Sequence, residues 1–313
     1  MRMRLSSGAM RVAQIVLAAG LLAVLWHVAD GQQAARALAS ADAGWLSAAL
    51  VALTAQTMLS ALRWRLTAAR LGIALSRREA LREYYLSQVV NLSLPGGVIG
   101  DVGRAVRSRG AVGLLAASQA VVLERMAGQA GLFAVTVTTF GITLARPGGV
   151  DWPAWLSAPV ALFALAGLCL PWVLSLLARM RGRAGLAVAG FVRAARVSLV
   201  ARGVIWSQIG LSLGTTLCNL AAFAFCARAV GHGLSPVAVA AFVPLILLTM
   251  LVPLTVNGWG LREGAAAVLF PLAGSTSSGG LATSVAFGLM ILVAALPGSA
   301  ALLSRRRAPV GLP

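Results

Sequence analysis

Apolar runs long enough to cross a bilayer recur along the whole of this 313-residue chain, and only 11% of its residues are charged. A helix of about 20 apolar residues spans a hydrocarbon core. In lipid, only helices and closed barrels satisfy their backbone groups internally. Runs of that length recur, so the chain reads as an all-α, polytopic membrane protein. With no separate soluble half, residues 1–313 read as a single membrane domain.

Six full spans are expected. They cover roughly Val12–Ala29, Trp45–Leu62, Met126–Ala145, Ala154–Leu177, Val204–Val230 and Leu281–Leu303. The basic start before Val12 also suits a signal peptide, but its run is long enough to span, and an uncleaved first helix is expected. The stretch from Ala111 to Ala145 is long for one span and leaves room for an extra short helix.

Charge orients these spans. All 26 basic residues are arginine and the net charge is +18. With both termini cytoplasmic, 21 of the 26 fall on the inner side: three at the start, six after the second span, three at 104–109, six at 179–202 and three at the end. That is the positive-inside pattern of a bacterial-type inner membrane, and such arginines also face anionic lipid heads. Trp26, Trp45, Trp152 and Trp155 fall at outer helix ends, and Trp64 and Trp206 at inner ends, as in an interfacial aromatic belt.

Composition also excludes chemistry. Without lysine there is no Walker-type phosphate loop and no Schiff base. No basic stretch is interleaved with stacking aromatics, so nucleic-acid binding is not expected. Cys169, Cys218 and Cys226 lie in apolar runs and read as small core residues. With His27 and His232 the only histidines, neither a metal site nor any cofactor is expected.

Two segments, 84–109 and 237–272, are apolar but interrupted. The first carries Asn91, Pro95, Gly96, Gly97, Gly100, Asp101 and Arg104. The second carries Pro253, Asn257, Gly258, Gly260, Arg262 and Glu263. In each, Pro is followed by Gly five residues on and by Arg nine residues on, with an acid close to the Arg. By the charge count the first begins and ends inside and the second outside. They read as two opposed re-entrant hairpins, the mark of an inverted repeat. Freed backbone groups at such breaks must face protein or a wet cavity, so paired breaks point to a substrate site. Asp101, Glu124 and Glu263 are the acids at membrane depth, each near an arginine: Arg104, Arg125 and Arg262. Charge at that depth pairs or lines a pathway. Structural ion pairs that lock the hairpins are the other reading of the same residues.

These residues resemble the membrane domain of the lysylphosphatidylglycerol synthase/flippase family. The resemblance rests on Leu62-Arg63-Trp64-Arg65, on Asn91 through Arg104, on the Glu124-Arg125 pair, where Asp is commoner, and on Pro253, Gly258, Gly260 and Glu263. It implies the lipid-translocating half of that family. Only ten residues follow Leu303, so the family's cytosolic synthase domain, and lipid aminoacylation with it, is not expected. The expectation is a non-enzymatic, flippase-like transporter of a polar-headed lipid, a phospholipid or aminoacyl-phospholipid. Its head group would pass between the hairpins. Asn91, Asp101, Arg104, Glu124, Arg125, Asn257, Arg262 and Glu263 would line the path. No nucleotide motif suggests direct drive by ATP. Two rival readings stand beside it: an accessory subunit partnering a lipid-modifying enzyme, and a membrane-embedded transferase acting on lipid-linked sugars. Lipid identity, transport direction, coupling ion and oligomeric state are not encoded in any motif.

Overall fold

The computed structural model describes residues 7–93, 97–145, 152–252 and 255–300. Among these there are twelve α-helices and no strand. They are α1 (Ser7–Val28), α2 (Gly31–Ala39), α3 (Ala43–Arg70), α4 (Arg77–Ser93), α5 (Ile99–Ser108), α6 (Gly113–Ala145), α7 (Ala154–Leu177), α8 (Arg183–Ala195), α9 (Ile205–Ala229), α10 (Pro236–Leu248), α11 (Leu261–Leu269) and α12 (Ser277–Ala295). The all-α polytopic class expected from the sequence is the one observed.

Helix starts follow capping chemistry. Asp30, Asp42, Ser235 and Thr276 each accept an amide three residues on, from Gln33, Trp45, Ala238 and Gly279 respectively. Such side chains replace a hydrogen bond that the first turn lacks. At α4, the Ser76 amide donates to Glu79 and the Glu79 amide to the Ser76 hydroxyl, a reciprocal cap. Hydrogen bonds from Ser76 hold the Glu79 carboxyl below its ordinary range.

Five helices are long and apolar enough to cross a membrane: α3, α6 with its preceding turn, α7, α9 and α12 with the residues after it. The expected first span is present as α1, but its described apolar part, Val16–Val28, is shorter than a full crossing. Two other expectations change. Helix α3 runs eight residues beyond Leu62, to Arg70, because no Gly or Pro interrupts it before Leu71-Gly72. And 113–145 is one unbroken helix of 33 residues, preceded by a short 3-10 turn, with no extra helix.

The chain forms two compact units. One comprises Met1–Thr57, Arg82–Gly103 and Cys218–Pro313. In it, α11 packs on α12, α10 and α1, and α12 also packs on α2. Helix α12 is buried through small residues such as Gly279, Gly280, Ala282 and Ala286. Small residues let backbones approach closely where lipid removes the hydrophobic drive between helices. The other unit comprises Met58–Leu81 and Arg104–Leu217. In it, α7 packs on α6 and α8. Most of α7 is exposed, including Leu162, Leu165, Leu168 and Leu176, as befits a helix that faces acyl chains.

Both interrupted segments are helix–break–helix. The first break separates α4 from α5, and α4 begins seven residues before Tyr84. Gly97 sits in it with φ 61°. The second separates α10 from α11 and holds Asn257 (φ 50°), Gly258 (φ 76°) and Gly260 (φ 87°). That left-handed region suits Gly, and among other residues Asn most readily. Pro95, Gly96 and Pro253, named above as breakers, lie outside the described residues.

Gly100 is the tightest point of the first segment. A Cβ there would meet the Ser87 carbonyl and, at 2.8 Å, the Asn91 side-chain oxygen. Gly100→Ala is therefore expected to destabilise the protein by about 1–3 kcal/mol through overpacking. The measurement is thermal unfolding of purified protein in detergent.

Candidate functional site

The most charged buried site lies in the second unit. Glu124, on α6, is fully buried and holds two arginines. Its Oε1 accepts from Arg63 Nη2 at 2.8 Å and its Oε2 from Arg104 Nη2 at 3.3 Å. Arg63 also donates through Nη1 to the Thr215 hydroxyl on α9 at 2.8 Å. The Arg104 guanidinium lies over the Trp64 ring, 4.6 Å from its centroid. Gly128, one turn beyond Glu124, leaves room for the Arg63 head group; a Cβ there would stand 2.7 Å from Nη2. Three helices, α3, α5 and α6, thus meet on one carboxylate, and α9 joins them through Arg63.

Electrostatics explain why the partners converge. A charge taken from water costs several kcal/mol, and only a well-placed counter-charge with further hydrogen bonds offsets it. Thr215 and Trp64 provide that additional support. Two donors here, Arg63 Nε and Trp64 Nε1, are buried with no hydrogen-bond partner among the described residues.

The first unit holds a second buried pair at the start of α11. Arg262 Nη2 meets Glu263 Oε1 at 2.6 Å, and both side chains are fully buried. Neighbours in sequence do not normally face each other on a helix. Here the turn at Gly260 lets Glu263 fold back, its Oε2 accepting from the Gly260 amide at 2.6 Å. Ser284, on α12, completes the cluster. Its hydroxyl accepts from Arg262 Nε at 2.9 Å and donates to Glu263 Oε1 at 3.0 Å, and its carbonyl accepts from Arg262 Nη2 at 3.1 Å. The guanidinium lies between Trp259 (5.1 Å) and Phe287 (5.6 Å). A Cβ on Gly288 would strike Arg262 Nη2.

The first break has its own bracket, also in the first unit. Asn91 Oδ1 accepts from the Gly100 amide at 2.7 Å, and its Nδ2 donates to Asp101 Oδ2 at 3.3 Å. Asn91 therefore caps α5, with Asp101 in the first turn where the helix dipole favours an anion. Glu263 plays the corresponding part at α11. Each break is followed by a half-helix whose first amides are met by a buried polar side chain.

Of the sequence candidates, Arg104 and Glu124 come together, as do Arg262 and Glu263, and as do Asn91, Gly100 and Asp101. Arg125 lies on the exposed face of α6. Asn257 is half-buried and shapes the second break by its left-handed backbone. Arg63 and Trp64 are corrections. The sequence places both at the inner edge, one as a loop cation and one as a belt tryptophan, yet both are buried inside α3 because that helix continues. Thr215, Ser284 and Trp259 carried no signal of their own. The unbroken run from Leu62 to Leu71 was the available signal for Arg63.

Glu124→Gln leaves two buried guanidiniums on a neutral group and is expected to cost about 3–5 kcal/mol. Arg125→Gln, one residue on but exposed, should change stability by less than about 0.5 kcal/mol. Thermal unfolding of the two variants side by side checks the contrast.

The family model described as the lysylphosphatidylglycerol synthase TM region matches residues 11–298. No curated protein and no solved structure matches the chain significantly. The matched stretch takes in all three polar clusters and the five long apolar helices save the last two residues of the fifth. The protein is thus a multi-pass membrane protein with a membrane-lipid-related role, and it belongs to the family of the lysylphosphatidylglycerol synthase transmembrane region.

Proposed function

We propose that this protein is a flippase-like transporter that moves an anionic or aminoacylated phospholipid between leaflets and performs no chemistry on it. The observation that carries this reading is the set of fully buried arginines, Arg104 and Arg262, held by Glu124 and Glu263 in a helical membrane protein. Ionisable groups at membrane depth mark substrate paths. The guanidinium fork matches a phosphate as well as it matches a carboxylate. In this reading Glu124 and Glu263 hold the arginines in place until a lipid phosphate exchanges with them. The acyl chains remain in the bilayer throughout. The two interrupted segments act as opposed re-entrant hairpins, with both termini on the cytoplasmic side of an inner membrane.

Ion-pair exchange makes a specific demand: substrate must compete with a carboxylate for the same cation. Removing the cation should then abolish transport, whereas removing the carboxylate should uncouple substrate binding from release.

The test is reconstitution into vesicles with fluorescent phosphatidylglycerol, lysylphosphatidylglycerol and phosphatidylcholine. Wild-type protein should accelerate leaflet exchange of at least one anionic or aminoacylated lipid over empty vesicles. Arg104→Gln and Arg262→Gln should lower that rate at least tenfold, among variants that elute as monodisperse protein. Exchange no faster than in empty vesicles for every lipid overturns the proposal.

A further inference from the structure

A different part of the second unit carries an inference independent of transport. Helix α8 has 13 residues, too few to cross a bilayer. It is not a solvated loop either. A Cβ on Gly185 would strike the Met180 carbonyl, so the turn from α7 into α8 closes backbone against backbone. Ala194 is buried, and α8 packs on α7 and α6. Beyond it, a π-helical turn, Arg196–Val200, is pinned to α9: Gln208 Nε2 donates to the Ser198 carbonyl at 2.9 Å and to the Thr67 hydroxyl at 3.0 Å. The segment is held at a defined angle.

Its outer surface is basic and apolar together. Arg179, Arg181, Arg183, Arg193, Arg196 and Arg202 are all exposed. No acid occurs anywhere between Asp151 and Glu263, and none of the six arginines pairs with an acidic side chain among the described residues. Leu186 is 74% exposed, and Val197 and Val200 are exposed in the turn that follows the helix. Leu186 and Arg193, seven residues apart, share one face of the helix. Trp206, at the start of α9, is 80% exposed. Arg70 reaches the Arg202 carbonyl at 3.4 Å, which brings the basic turn after α3 to the same end of this unit.

A face that combines uncovered Leu and Val with unpaired Arg suits neither bulk water nor hydrocarbon. It suits the boundary between them, where apolar side chains dip into the acyl region and guanidiniums rise to the phosphates. We infer that α8 with its following turn lies in the plane of the membrane interface and is a binding site for anionic phospholipid head groups.

Each arginine near an anionic surface contributes about fivefold to partition at moderate salt. The experiment uses the full chain in nanodiscs that mix phosphatidylglycerol and phosphatidylcholine, followed by native mass spectrometry of the lipids retained on release. Wild-type protein should retain phosphatidylglycerol in preference to phosphatidylcholine. The triple variant Arg183→Gln, Arg193→Gln, Arg196→Gln should lower that preference at least tenfold. Equal preference in both proteins overturns the inference.

A depth measurement tests it without relying on the triple variant. A nitroxide is placed at Leu186→Cys, in a background of Cys169→Ala, Cys218→Ala and Cys226→Ala. Relaxation dominated by lipid-soluble oxygen places α8 at the boundary. Relaxation dominated by a water-soluble agent places it in solvent and overturns the inference.

Discussion

The interaction on which the second unit depends is the sharing of Glu124 by Arg63 and Arg104. These three side chains are buried, so bulk water does not replace a missing partner. Four helices, α3, α5, α6 and α9, are therefore held to one point, because each contributes a group that the others require. Hydrophobic packing cannot do this alone, since lipid tails solvate leucine as well as a neighbouring helix does. Polar convergence supplies the register. Gly128, and Trp64 under Arg104, are consequences of making room for the guanidiniums and backing them.

The same logic recurs at the breaks in the first unit, with a different residue each time. A helix that starts inside the protein exposes amides that must be met. At α5 they are met by Asn91, reaching from the end of α4. At α11 they are met by Glu263, from within its own first turn. Arg262 then neutralises Glu263, and Ser284 secures both. Each break uses left-handed backbone, at Gly97 in the first and at Asn257, Gly258 and Gly260 in the second, and each is held by its cap.

The fold class and the positions of both breaks were legible in the sequence, because apolar length and Pro-Gly punctuation are local properties. Span boundaries were less so. Reading Arg63 as the end of a span treated arginine as a loop marker, which holds only when the guanidinium has no buried partner. Helix α3 continues past it, and Glu124, 61 positions away, provides that partner. Trp64 was misread for the same reason, since a tryptophan beside an arginine resembles a membrane-surface pair until the arginine turns inward. At Glu124-Arg125 the sequence offered two charges side by side. A helix turns by 100° per residue, so only one of them could face the interior, and that choice depended on where α3 and α5 lie.

By itself the sequence determined that this chain is a helical, multi-spanning membrane protein, with two interrupted segments and a strong basic asymmetry. Those features follow from hydropathy, helix-breaking residues and charge counts, each readable within a window of a few turns. Tertiary structure alone decided which distant groups meet. Arg63 with Glu124, Arg104 with the same carboxylate, and Arg262 and Glu263 with Ser284 are contacts across separate helices or across a broken turn. A buried charge takes its partner from whatever the packing brings within about 3 Å, and sequence spacing carries no record of that distance.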